Sequence, residues 1–314
     1  MKTLVTGASG FLGRNLLEYL GGDAVALVRA PLDSKVQQVI GTPVDVDAWL
    51  PRAKGVKTLV HAAGMIHHSR HGADEMMRFN VDSALAMVRA AKALNARLVL
   101  VSTSGTVGCY PHATIEADEH SRFAEETVGR WPYYLSKIRA EQQSRKLAKQ
   151  LGVEMTVVRP PILLGPGDTL GRSTTNVARV IDGRLPFIPS GGIGFTDVRD
   201  VAAALARLSK KSQWRETYHL PGYAMPLRTF FERVGEVAGV KVDKAAVPDF
   251  VVGSLAKLGL KKLPDPVVLE MSTHHWGLKT LWSHEELDYR PRSDRQTLSD
   301  TVAWLRANRQ RHAS

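Results

Sequence analysis

One turn constrains this chain more than any other feature. Residues 2–6 are apolar and β-rich, Thr6-Gly7-Ala8-Ser9-Gly10-Phe11-Leu12-Gly13 follows, and residues 11–20 then carry helical spacing. Glycines allow a tight turn and let backbone approach a pyrophosphate closely. The N-terminus of the following helix offers unpaired N–H groups and a positive dipole end. The spacing is G-x-x-G-x-x-G, not the more familiar G-x-G-x-x-G, and it gains force from standing between a strand and a helix. Gly7, Ser9, Gly10, Phe11, Leu12 and Gly13 are therefore candidate cofactor contacts.

The first half continues in the same rhythm. Residues 24–29, 57–61, 97–102 and 153–158 read as strands with continuous apolar runs. Between them, residues 74–94 repeat Met77, Val81, Leu85 and Val88 on one helical face, and residues 133–151 form a second charged-faced helix. Alternation of this kind predicts an α/β protein, with a doubly wound parallel sheet (a Rossmann fold) covered on both faces. After Arg159 the pattern loosens into Pro160-Pro161, Gly165-Pro166-Gly167 and Pro189-Ser190-Gly191-Gly192. The expected organisation is a dinucleotide-binding domain over 1–168, to which segments in 195–220 return. A smaller, discontinuous, mainly C-terminal substrate lobe is expected over 169–314.

Two regions carry candidate chemistry. The second strand ends in Leu27-Val28-Arg29, with no acid until Asp33. An acid near this place binds the ribose of NAD, whereas an arginine accommodates the 2′-phosphate of NADP. NADP(H) is favoured on that ground, with NAD(H) as the other option, and Asp45 is a candidate for the adenine amine. Further on, Tyr133-Tyr134-Leu135-Ser136-Lys137 opens a helix, so Tyr133 and Lys137 share one face. An ammonium beside a phenol is expected to lower the tyrosine pKa from about 10 toward neutrality, suiting Tyr133 to proton transfer. Tyr134 has no lysine four residues later. At the end of the strand 97–102 stand Thr103 and Ser104, whose hydroxyls could hold a substrate carbonyl or merely turn the chain.

Composition narrows the class. The net charge is +11, and the basic residues are scattered, in keeping with solubility or with attraction of phosphate groups. No nucleic-acid motif is recognisable. Cys109 is the single cysteine, so no disulfide forms within the chain. No apolar run reaches the ~18–20 residues of a membrane span, and no signal-like segment precedes the first strand. A cytoplasmic protein is expected.

Taken together, the chain resembles an extended short-chain dehydrogenase/reductase, of the NAD-dependent epimerase/dehydratase superfamily. It carries the T-G-x-x-G-x-x-G of that family at Thr6–Gly13 and its Y-x-x-x-K at Tyr133–Lys137. His61-Ala62-Ala63 resembles the H-x-A-A segment, Phe79-Asn80-Val81 the helical N-V pair, and Arg159-Pro160-Pro161 through Gly165-Pro166-Gly167-Asp168 the R-P-x…G-P-G-D stretch. Asp197-Val198-Arg199-Asp200-Val201 and Leu287-Asp288-Tyr289-Arg290-Pro291 complete the series. The look is nearest the dihydroflavonol reductase and 3β-hydroxysteroid dehydrogenase-like branch. The resemblance implies hydride exchange between NADP(H) and a ketone, aldehyde or alcohol, with Tyr133, Lys137 and a third hydroxyl as catalytic set. A gapless alignment makes that hydroxyl Thr103; alignment on Thr106-Val107 makes it Ser104. Val46, Ala62, Ala63, Pro160, Tyr133 and Lys137 join the implied cofactor contacts, Lys137 on the nicotinamide-ribose hydroxyls; Asn80 is implied to be structural, and no metal is needed. The expected partner is a small carbonyl or alcohol substrate, with pairing of two copies through two helices of the dinucleotide domain as a family habit. The alternative is an NAD-dependent nucleotide-sugar epimerase or dehydratase, against which Arg29 argues.

Other features are less specific. His67, His68 and His71 follow the strand 57–61 and could border the site. Residues 250–263 mix apolar side chains with three lysines, as in a segment capping a pocket or touching a membrane surface. Cys109 reads as a small packed residue.

Overall fold

The computed structural model describes residues 1–113, 115–258 and 263–313. Its strands, in chain order, are β1 (Thr3–Thr6), β2 (Ala24–Val28), β3 (Gln37–Ile40), β4 (Thr58–His61), β5 (Arg97–Val101), β6 (Cys109–Tyr110), β7 (Met155–Arg159), β8 (Ile162–Leu164), β9 (Gly192–Asp197), β10 (Thr217–His219), β11 (Tyr223–Pro226) and β12 (His275–Trp276). Seven form one sheet in the order β3-β2-β1-β4-β5-β7-β10, and every neighbouring pair is parallel. Every residue of β1, β2 and β4 is buried. A sheet buried on both faces needs a helical layer on each.

Those layers follow from the apolar stripes. On one face, Leu16 and Leu17 of the helix Phe11–Leu20 and Val201 and Leu205 of the helix Val198–Lys210 share a core with Val5 and Val28. On the other, Met87 and Ala91 of the helix Ala73–Leu94 and Ala148 of the helix Pro132–Leu151 pack on Leu4, Val25 and Leu98. The strand order reverses between β1 and β4, which opens a crevice at the carboxyl ends of these strands. One strand escaped the sequence pattern. β3 lies at the sheet edge with only Val39 buried, so it leaves no apolar run to read.

A second sheet, β11-β9-β8, backs onto the helices Thr175–Ile181, Leu227–Ala238 and Asp294–Ala313. Their shared core includes Phe195, Phe230, Val234 and Leu298. Of the segment 195–220, the helix Val198–Lys210 and β10 lie with the main sheet, while β9 pairs with β8 and β11 instead. The helices Asp249–Leu258 and Pro266–Met271 add a small cluster of Val252, Ala256 and Leu269, with Phe187 packed against it.

Candidate active site

The glycine turn leaves β1 at the reversal of strand order. Gly7 has φ +69°, and a Cβ there would stand 2.8 Å from the backbone of Ala62 and Ala63 at the end of β4. A Cβ on Gly13 would run into the Gly7 carbonyl and Ala8. The Gly10 N–H donates to the Gly7 carbonyl at 2.9 Å, closing the turn. The helix Phe11–Leu20 then begins with no side-chain cap and no acid in its first turn, so its leading N–H groups stay available. A turn this bare, at this place, fits the pyrophosphate of a dinucleotide.

The other candidate cofactor residues gather at the same edge of the sheet. Ser9 is exposed on the turn, Phe11 is half-buried, and Leu12 is buried, so only its backbone can meet a ligand. The Ala63 N–H donates to Thr6 Oγ1 at 3.1 Å, and that hydroxyl also meets His61 Nδ1 at 2.7 Å. Arg29 projects, exposed, from the end of β2. Asp45 is exposed and opens the short helix Val46–Trp49, whereas Val46 is half-buried against the Trp49 cluster. Pro160 is buried after β7, and its carbonyl accepts from the Ser104 N–H at 2.8 Å.

Next to this edge lies the tyrosine. The Thr103 side chain stands beside the Tyr133 hydroxyl, where it favours the ionised phenol. Lys137 Nζ donates to the Val101 carbonyl at 2.8 Å, one turn along the same helix. Asn80 pins the arrangement: its Oδ1 accepts from the Met65 N–H at 2.8 Å, and its Nδ2 donates to the Met65 carbonyl at 3.1 Å and to Ser136 Oγ at 2.9 Å. That is the structural role the resemblance implied.

The electrostatics correct one expectation. Burial pushes the Tyr133 phenol above its ordinary value, opposed only by the Thr103 hydroxyl. Burial likewise pushes Lys137 down to about 8, with Glu141 pulling the other way. The ammonium is directed at a backbone carbonyl, so desolvation outweighs any stabilisation of phenolate. The proton thus resides on Tyr133 at neutral pH.

Glu141 itself was not singled out from sequence, although Tyr133, Lys137 and Glu141 repeat every fourth residue along one helix face. It is fully buried. Arg159 Nη2 pairs with it at 2.6 Å, Ser102 donates to it, and Arg159 Nη1 also meets His219 Nε2 at 3.3 Å. Burial opposes its ionisation, but Arg159 and Ser102 outweigh that and hold the carboxyl below its usual range.

Thr103 and Ser104 also open into a cavity of about 880 Å³, counted to its open mouth. Tyr134, Trp276, Phe187 and Leu269 give it apolar walls. Tyr134 stacks on Trp276, with ring centroids 5.2 Å apart at 28°. The cavity also contains Arg179, on which no sequence signal fell because its helix is only seven residues long. His68 stands edge-on to Tyr133 at 5.2 Å, and burial pushes it down to about 4. His71 is exposed. Among the described residues, no group of three or more His, Cys, Asp or Glu is placed to hold a metal. Cys109 is buried and its thiol is pushed up to about 12, the behaviour of a packed residue.

The helix Asp249–Leu258 turns Val252 and Ala256 toward Phe187 and Leu269, so it backs the cavity wall. Its outer face exposes Phe250 (76%) and Leu258 (66%). Residues 259–262 of the basic apolar stretch lie outside the described residues. No described helix is long and apolar enough to cross a membrane.

A glycine cradle where the strand order reverses, with hydroxyls after a neighbouring strand and a tyrosine and lysine on the helix beside them, defines an NAD(P)-dependent oxidoreductase of the extended short-chain type. The chain belongs to the NAD dependent epimerase/dehydratase family, whose model matches residues 3–220. Sterol demethylase protein B of Methylococcus capsulatus is 27% identical to it over 98% of both chains. Ceramide reductase of Caulobacter vibrioides is 28% identical over 84% of this chain and 74% of its own. The crystal structure of gox2253 superimposes with a TM-score of 0.84 at 26% identity, over 98% of both chains.

Proposed function

We propose that the protein interconverts a carbonyl of an apolar substrate and the matching alcohol, using NADP(H). One observation carries this reading: Thr103 meets the Tyr133 hydroxyl on one side and the apolar cavity on the other. The backbone of Gly7, Gly10 and Gly13, with Ala62, Ala63 and Arg29, would hold the dinucleotide, which when bound would supply hydride for the carbonyl carbon. Tyr133 gives its proton to the carbonyl oxygen, and burial keeps that proton in place beforehand. The Thr103 hydroxyl orients the oxygen, while Ser104, tied by its backbone to Pro160, borders the same space. Lys137 is a positioning residue, placing positive charge on the tyrosine's own helix face. Asp45, Val46 and Pro160 are assigned to the adenine and nicotinamide ends. The sterol and ceramide named for two relatives agree in kind with an apolar cavity.

Separate titrations of NADPH and NADH test the cofactor. Arg29 predicts NADPH tighter by about tenfold, roughly 1.4 kcal/mol, with the preference erased in Arg29→Ala. Tyr133→Phe should cost ~10²–10⁴ in ketone turnover while NADPH affinity stays intact; unchanged turnover removes Tyr133 from the chemistry. The family match also supports a second reading, a nucleotide-sugar epimerase or dehydratase. NAD that copurifies and refuses exchange would select it. Pairing of two copies is assigned to the helices Ala73–Leu94 and Pro132–Leu151, and a monomer mass by light scattering would dismiss it.

A further inference from the structure

We propose that the substrate carries an anionic group, set apart from its reacting carbonyl by an apolar segment and received by Arg179 with Asn176. This rests on the reading of the cavity as the substrate site. Among the described residues, those lining that cavity are mostly apolar, include no aspartate or glutamate, and include one cation, Arg179. Arg179 comes from the helix Thr175–Ile181 of the second lobe, whereas Thr103 and Ser104 come from the end of β5. A ligand reaching both must bridge the two.

The state of Arg179 is what calls for an anion. It is half-buried, and among the described residues its one side-chain partner is Asn176 Oδ1, at the outer limit of 3.5 Å. Among the described residues it forms no ion pair. The neighbouring acid is already committed, because Asp182 pairs with both Arg184 and Arg309. Burial, and then repulsion from Arg184, hold the Arg179 guanidinium below its ordinary pKa. A cation kept in an apolar recess without a counter-charge is destabilising unless a ligand supplies one. The flat guanidinium fork suits the paired oxygens of a carboxylate or phosphate. Asn176, beside it, adds an amide donor for the same group.

The test uses ligands that cannot react, so it does not depend on turnover. Binding of decanoate, decyl phosphate and 1-decanol to the NADP⁺-loaded protein would be measured by calorimetry. At least one anion should bind tenfold or more tighter than the alcohol, and comparing decanoate with decyl phosphate shows which head group fits. Arg179→Leu and Arg179→Gln should both bring anion and alcohol to equal affinity, with thermal stability no lower than the parent's and NADPH affinity unchanged. Arg184→Leu, a control for the general positive charge, should leave the preference in place. Equal binding of all three by the parent protein overturns the proposal. So does a preference that survives both Arg179 variants. A preference that disappears in them sustains the anion site even if every ketone offered fails to turn over, a result that would count against the reductase reading alone.

Discussion

At the scale of single residues, the tyrosine–lysine pair was legible and its electrostatics were not. Spacing places Tyr133 and Lys137 on one face, but spacing is silent about desolvation. Burial moves both groups toward their neutral forms, the phenol upward and the ammonium down to about 8. A pH profile follows. On the proposed mechanism, reduction needs a protonated Tyr133 and a charged Lys137, so kcat/KM at saturating NADPH should be level between pH 6 and 7. It should then fall above pH 8 by about tenfold per unit as Lys137 discharges. A profile still level at pH 10 would mean that the lysine charge plays no part. The choice between Thr103 and Ser104 was also beyond the sequence, since either register was open to the alignment. The place of the Thr103 side chain beside the Tyr133 hydroxyl favours the gapless one.

At the scale of elements, the helix Pro132–Leu151 does more than present a tyrosine. Its third turn drives Glu141 into a buried cluster with Arg159, Ser102 and His219. Glu141→Gln leaves a buried guanidinium short of its charge partner and should cost about 3–5 kcal/mol. Urea unfolding would register this as a lower midpoint. The double variant Glu141→Leu with Arg159→Met should recover much of the loss, and a single variant as stable as the parent would show that the pair contributes nothing. The parallel strands were readable because burial on both faces forces unbroken apolar runs. β3 was not, because an edge strand needs no such run. The second lobe resisted reading for a related reason. Its helices Thr175–Ile181 and Pro266–Met271 have 7 and 6 residues, too few turns to show a period. Arg179 was hidden with them.

At the scale of the whole molecule, acid should unfold this protein early. Burial comes first among the causes that push His61 down to about 3 and His68 and His219 to about 4. In the unfolded chain each takes up its proton near pH 6.5, whereas in the fold each resists until well below that. The unfolded state therefore binds more protons through this window, and stability falls as pH drops from 6.5 toward 4. The slope is about 1.4 kcal/mol per unit for each histidine. Glu141, held low, adds its loss at the acid end. Against a typical stability of about 5–15 kcal/mol, unfolding is expected before pH 4 is reached. Denaturant titrations at pH 7, 6 and 5 giving one unchanged stability would mean that these rings are not held neutral. The arrangement of the site also sets an order of events during synthesis. The phosphate cradle is complete once Ala63 has been made, but the cavity wall waits for Trp276. At about 5–20 residues per second, that interval lasts roughly ten to forty seconds. A growing chain leaving the ribosome thus has the parts of its nucleotide cradle long before the walls of the neighbouring cavity exist.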